Sequence, residues 1–170
     1  MDAISEFRRD ILVSIRPNYA SKILNGQKTV ELRRKFPEVG AAGALALIYS
    51  SSPVSAVVGY ARIKFVLKLP VFRIWKEYRI AACISKDEFD TYFTGANYGF
   101  VIFLENVKSL RRQLKATDLV QGFGIVPPQS YRYVDEECVA LLSDERFQNS
   151  GRYKRSYRVR GPSARSSISR

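Results

Sequence analysis

A chain of 170 residues is long enough for one domain with a core of its own. It has no histidine and only two cysteines, Cys83 and Cys138, so a Ser-His-Asp or Cys-His nucleophile is excluded within the chain, and a zinc site is disfavoured. With 28 Lys and Arg against 16 Asp and Glu the formal charge is +12, which points to a polyanion as partner.

No apolar run is long enough to cross a bilayer, and the start MDAISEFRRD lacks a signal peptide's apolar core. The expectation is therefore a cytoplasmic protein with reduced thiols and no membrane partner. Residues 11–15 (ILVSI) are a short apolar run expected as a strand. In RPNYASKILNG, Pro17 suits a first helical position, Tyr19, Ala20, Ile23 and Leu24 make an apolar stripe, and Gly26 can stop the helix. Residues 28–34 (KTVELRR) read as an alternating strand, with Thr29, Glu31 and Arg33 on one face and Lys28, Val30, Leu32 and Arg34 on the other.

A loose Gly/Ala connection at 39–46 leads to a strand over 45–49, and SSSPV punctuates the chain. Residues 55–69 give a long strand pattern in which Gly59 is placed for a bulge where a barrel bends. Residues 71–83 mix aromatic and basic side chains at helical spacing. Ser85 with Glu88 makes a capping box for a helix through about Phe93. Residues 98–107 are a strong apolar strand, 108–115 are basic with helical leanings, and GFGIVPPQSYRYV is a turn-rich approach to a last short strand before a short helix at 135–145.

The expected organisation is an N-terminal extension (1–10), one domain (11–145) and a basic, disordered tail (146–170). The tail holds eight basic residues and no acid. About six strands with two or three flanking helices imply an α+β mixed barrel, although periodicity alone leaves an OB-like barrel open.

Four patterns occur in order: ILVSIRPNYASKILNGQKTVELRR, LIYSSSPVSAVVGYARI, ISKDEFDTYFTG and PPQSYRYV. Together, over roughly residues 11–134, they resemble the ASCH domain family of the PUA-like superfamily. Its Gly-x-Lys-x-x-Glu-x-Arg hallmark is matched by Gly26, Lys28, Glu31 and Arg33. The resemblance implies a PUA-like β-barrel with a cleft beside the first helix and this strand, where family members are thought to bind RNA or nucleotides. In some relatives it implies hydrolysis of N4-acetylcytidine, and in others cleavage of RNA.

Glu31 and Arg33 project the same way, so Glu31 is placed to accept from a base amine and Arg33 to meet a phosphate or base edge. The plainer alternative is an ion pair on a solvated face. Lys28 suits a phosphate contact or, in an enzyme, a catalytic role shared with Glu31; a solvated lysine at a strand start is the bland reading. Arg34, followed by Lys35, reads as a phosphate clamp or as a charged edge that resists aggregation. Arg16 and Lys22 add positive potential to the same cleft. Ser51 and Ser52 can present hydroxyls and N–H groups to a phosphate or simply form a turn. Gln129, Ser130, Tyr131 and Arg132 follow two prolines, with Tyr131 set either to stack on a base or to pack in the core. Trp75 is read as a core anchor before a stacking platform.

No metal or cofactor is expected, because Asp87-Glu88-Asp90 and Asp135-Glu136-Glu137 read as exposed helix starts. The leading function is a non-catalytic nucleic-acid-binding module, with RNA the expected partner and DNA a possible one. The alternatives are an amidohydrolase acting on a modified nucleoside and a metal-dependent RNA-cleaving nuclease. The amidohydrolase relatives carry a threonine three residues after the motif lysine. Here that position is Glu31, with Thr29 nearby, and the departure weakens that alternative.

Overall fold

The computed structural model describes residues 9–143. The expected basic tail at 146–170 lies outside them, as does most of the expected N-terminal extension. Within this span the order is β1 (Ile11–Ile15), α1 (Pro17–Leu24), β2 (Val30–Arg33), β3 (Leu45–Ser50), β4 (Ala56–Pro70), α2 (Val71–Tyr78), α3 (Lys86–Phe93), β5 (Tyr98–Lys115), α4 (Ala116–Phe123), β6 (Tyr131–Tyr133) and α5 (Glu136–Ser143).

The six strands form a single mixed sheet in the order β2-β5-β4-β3-β1-β6. Only the β1–β3 pair is parallel. Alternate residues of β1 feed different cores: Ile11, Val13 and Ile15 join α1 on one side, and Leu12 joins Leu47, Leu114 and Leu119 under α4 and α5 on the other. Burial on both faces explains why ILVSI is a continuous apolar run and not an alternating one. A third core packs α2 and α3 against Val30, Leu32 and Val101.

The long β4–β5 ladder slips register between Val57 and Gly59 and at two further points, which lets the sheet curl. At Gly59 a Cβ would stand 2.5 Å from both Leu24 Cδ2 and the Lys108 carbonyl oxygen, so the missing side chain is what lets α1 lie on the sheet.

The curl brings the two edges of the sheet near one another. Arg33, on edge strand β2, donates to the Ser14 carbonyl of β1 (2.7 Å) and to Ser130 Oγ just before β6 (3.3 Å). The Phe36 and Tyr131 rings meet across the same gap at 5.1 Å. The result is a half-barrel whose open side is spanned by side chains, and it agrees with the mixed α+β architecture read from the sequence.

Two local expectations are corrected. Residues 108–115 are not helical but form the second half of β5, paired through Ser109–Gly59 and Leu114–Val57. The buried pair Leu110 and Leu114 is four residues apart, a spacing that satisfies a helix stripe and a strand face equally. The other correction is at Gly122 and Phe123, expected in the turn-rich approach but forming the end of α4, a helix started by an Asp118 carboxylate that accepts from the Lys115 N–H (3.2 Å).

The capping box at α3 is present in full. Ser85 Oγ accepts from the Glu88 N–H and donates to the Glu88 carboxylate at 2.8 Å. Replacing Ser85 with Ala should cost about 1 kcal/mol, read as a lower midpoint in thermal or urea unfolding. Trp75 packs on the third core, its ring 5.2 Å from Phe89. Among the described residues no helix is long and apolar enough to cross a membrane.

Candidate nucleic-acid cleft

The seam between the sheet edges is roofed on one side by α1 and on the other by α3, and it encloses a cavity of about 540 Å³. Its floor is a charged triad built by strand geometry. Glu31 and Arg33 are two apart on β2 and point the same way, so the Arg33 Nη2 lies 3.1 Å from Glu31 Oε1. Lys28 reaches the second Glu31 oxygen at 3.3 Å and donates to the Ala82 carbonyl at 2.8 Å. The strand begins only at Val30, with the Thr29 N–H taken by the Ala81 carbonyl. Lys28 is thus off the pleat, and its expected place on the opposite face from Glu31 is corrected.

The triad is dry. Lys28 is 3 % exposed, and the side chains of Glu31 and Arg33 are 12 % and 8 % exposed. Two cations share one carboxylate, so the floor carries one surplus positive charge in a low-dielectric setting that strengthens its field. Arg33 Nε is buried without a hydrogen-bond partner among the described residues.

Of the residues singled out from the sequence, Arg16, Lys28, Glu31, Arg33, Ser51 and Gln129 line this cavity. Ser130 stands behind it as a partner of Arg33. Lys22, in the last turn of α1, lies off the lining, its ammonium 3.5 Å from the Cys83 carbonyl. Arg34 and Ser52 are exposed and lie off the lining. Tyr131 is half-buried against Phe36, and Arg132 donates to the Val126 carbonyl at 3.4 Å on the outside. Thr29 is exposed and does not line the cavity; the threonine that does is Thr91 of α3.

The sequence reading missed the roof. Tyr19 of α1 and Asp87, Glu88, Thr91 and Tyr92 of α3 all line the cavity. The four α3 residues share one helical side, which an i, i+1, i+4, i+5 pattern beside the buried Phe89 and Phe93 could have marked. Burial raises the Tyr19 pKa to about 12, with the neighbouring Glu88 carboxylate adding to the rise; its hydroxyl makes no hydrogen bond of good geometry among the described residues. Burial also raises Tyr92, whose oxygen accepts from the Arg34 N–H at 3.3 Å. Both phenols are therefore neutral at physiological pH. Glu88 is held below the usual carboxylate range, first by the Ser85 hydroxyl and then by Tyr19.

A curled six-stranded mixed half-barrel, with a ligand-sized cleft in its seam, is the PUA-like class of domain. The chain belongs to the ASCH family within it: residues 10–125 match the family described as "Domain of unknown function (DUF365)". A relative named ASCH domain-containing ribonuclease, from Zymomonas mobilis, is 31% identical over 141 residues, covering 80% of this chain and 92% of the relative. The crystal structure of ASCH from Zymomonas mobilis superposes with a TM-score of 0.71 at 29% identity, covering 76% of this chain and 90% of that one. A serine-to-alanine mutant of the same protein gives 0.74 at 28% identity, with 80% and 95% covered.

Proposed function

We propose that this protein binds single-stranded RNA and takes one unpaired nucleotide into the seam cleft. The observation that carries the reading is the cleft itself. A cavity of about 540 Å³ is ligand-sized. It admits a nucleotide and not a duplex, and sequence-specific RNA recognition works mostly through bases displayed outside a helix. The Lys28–Glu31–Arg33 floor puts its surplus cation at the base of the cleft, opposite the Asp87 and Glu88 carboxylates of the roof, and Leu32, Ile84 and the Tyr19 and Tyr92 rings supply apolar wall. Arg16, exposed at the mouth, is the residue for the phosphate; Ser51 and Gln129 offer polar contacts beside it. Arg33 serves this site from below, committed as it is to Glu31, Ser14 and Ser130. The free thiols Cys83 and Cys138 fit a cytoplasmic setting.

The test is a titration of labelled single-stranded RNA, duplex RNA and DNA at two salt concentrations. Single-stranded RNA is expected to bind tightest. Arg16→Glu should weaken it severalfold and reduce the slope of log affinity against log salt by about 1, the signature of one lost phosphate contact. Unchanged affinity in that variant would place the site elsewhere.

A second reading, that the bound RNA is cut, is favoured by the ribonuclease relative. Among the described residues no group of three or more Cys, Asp or Glu could hold a metal ion. In its metal-free form, cleavage in this cleft has the ribose 2′-hydroxyl give its proton to a base and attack the adjacent phosphorus, while the bond to the 5′-oxygen breaks and that oxygen takes a proton, leaving a 2′,3′-cyclic phosphate and a 5′-hydroxyl. Running the titrated RNA on a denaturing gel, with Mg²⁺ and with EDTA, decides it. Intact RNA supports binding alone, and EDTA-resistant fragments with cyclic ends support this chemistry.

A further inference from the structure

The outer face of α2 carries side chains that the cleft does not account for. Phe72, Lys76 and Arg79 recur at i, i+4 and i+7, share one side of the helix, and are all exposed. The inner side is spent on the core, with Ile74 fully buried and Trp75 and Tyr78 packed beside it. Phe72 is 72 % exposed. Tyr98, 55 % exposed, begins the strand that runs past the start of the helix: it pairs with Pro70, and the Val71 N–H donates to the Asn97 carbonyl at 3.0 Å. Two large rings left in water on adjoining stretches of backbone call for a partner.

The surroundings say which partner. Arg73, Lys76 and Arg79 stand against Glu77 alone, so the face is cationic, and Glu77 is already paired with Arg73 at 2.9 Å. Rings set among cations are how single-stranded nucleic acid is held: bases stack and ammonium or guanidinium groups take the phosphates. The face also runs toward the cleft. Beyond Arg79 the chain passes Ala82, whose carbonyl holds Lys28, and then Ile84, which lines the cavity.

Building on the RNA reading above, we propose that the α2 face is a second RNA contact. Bases flanking the one in the cleft stack on Phe72 and Tyr98, and their phosphates lie on Lys76 and Arg79. The chain supplies its own reporter, because its one tryptophan, Trp75, is on this helix.

The experiment compares a dinucleotide, which fits the cleft alone, with an oligonucleotide of about ten nucleotides, a length typical of single-strand sites. Both are followed by anisotropy and by Trp75 emission. The oligonucleotide is expected to change the emission and the dinucleotide is not. The double variant Phe72→Ala, Tyr98→Ala should bind the oligonucleotide about fivefold or more weakly, with dinucleotide affinity and unfolding midpoint unchanged. Lys76→Glu should act in the same direction and flatten the salt dependence. Equal oligonucleotide affinity in the parent and the double variant would overturn the proposal. So would a parent dimer that the double variant dissociates without loss of RNA affinity, since the face would then be a protein interface. If the parent binds neither RNA, the cleft reading has failed and this one falls with it, an outcome distinct from the loss of length dependence alone.

Discussion

Glu31→Ala is expected to destabilise the domain by about 3–5 kcal/mol, the range for removing one partner of a buried ion pair. The carboxylate is the shared counter-ion of Lys28 at 3.3 Å and Arg33 at 3.1 Å, and both cations are buried. Neither can swing out cheaply. Lys28 is tied to the Ala82 carbonyl, and Arg33 is bolted across the seam to Ser14 and Ser130. Against a typical domain stability of about 5–15 kcal/mol such a loss is a large share of the whole. Urea unfolding reads it directly. Glu31→Gln keeps the shape but removes the charge and turns an amide N–H group toward one of the two cations, so it should lose a large part of what the alanine variant loses. A loss below about 1 kcal/mol for Glu31→Ala would mean that the two cations are solvated and the triad is an ordinary surface pair. Whatever the RNA assay shows for such variants must therefore be read on folded protein, since the same carboxylate serves the seam and the site.

The half of this triad that was legible in the sequence was legible for a simple reason. Strand side chains alternate, so Glu31 and Arg33 had to share a face once β2 was recognised. Lys28 escaped that logic because the chain is not yet in the strand, and its contact with Glu31 depends on where the Ala81–Ala82 turn happens to pass. The elements themselves were written locally: the Pro17 start of α1, the Ser85–Glu88 box of α3 and the glycine in the β4–β5 ladder each announce themselves within a few residues. Residues 108–115 went wrong where local signals are degenerate, since two leucines four apart serve a helix and a strand alike. The placement of the roof over the cleft was invisible for a different reason, although the polar side of α3 could be read from its spacing. Nothing within α3 says that it crosses the open side of a sheet whose edge strand lies more than fifty residues earlier. Long-range placement of that kind is set by the third core and not by any motif in α3.

Phe89→Ala tests that last point, with an expected cost of about 3–5 kcal/mol. Phe89 is 2 % exposed, and its ring contacts Trp75 at 5.2 Å and Phe93 at 4.7 Å between centroids. It sits on the buried side of α3, and the residues on either side of it in sequence, Asp87, Glu88, Thr91 and Tyr92, face the cavity. Emptying this position removes the anchor that holds the roof over the triad, so stability and ligand affinity should fall together. Phe89→Leu fills most of the space and should lose much less of both. Trp75 emission gives the unfolding curve for each variant, and RNA titration at a temperature where the alanine variant stays folded gives the affinity. A Phe89→Ala protein that unfolds several kcal/mol earlier yet binds RNA as the parent does would show that α3 is not part of the binding site. The ligand would then belong to the Arg16, Ser51 and Gln129 side of the seam.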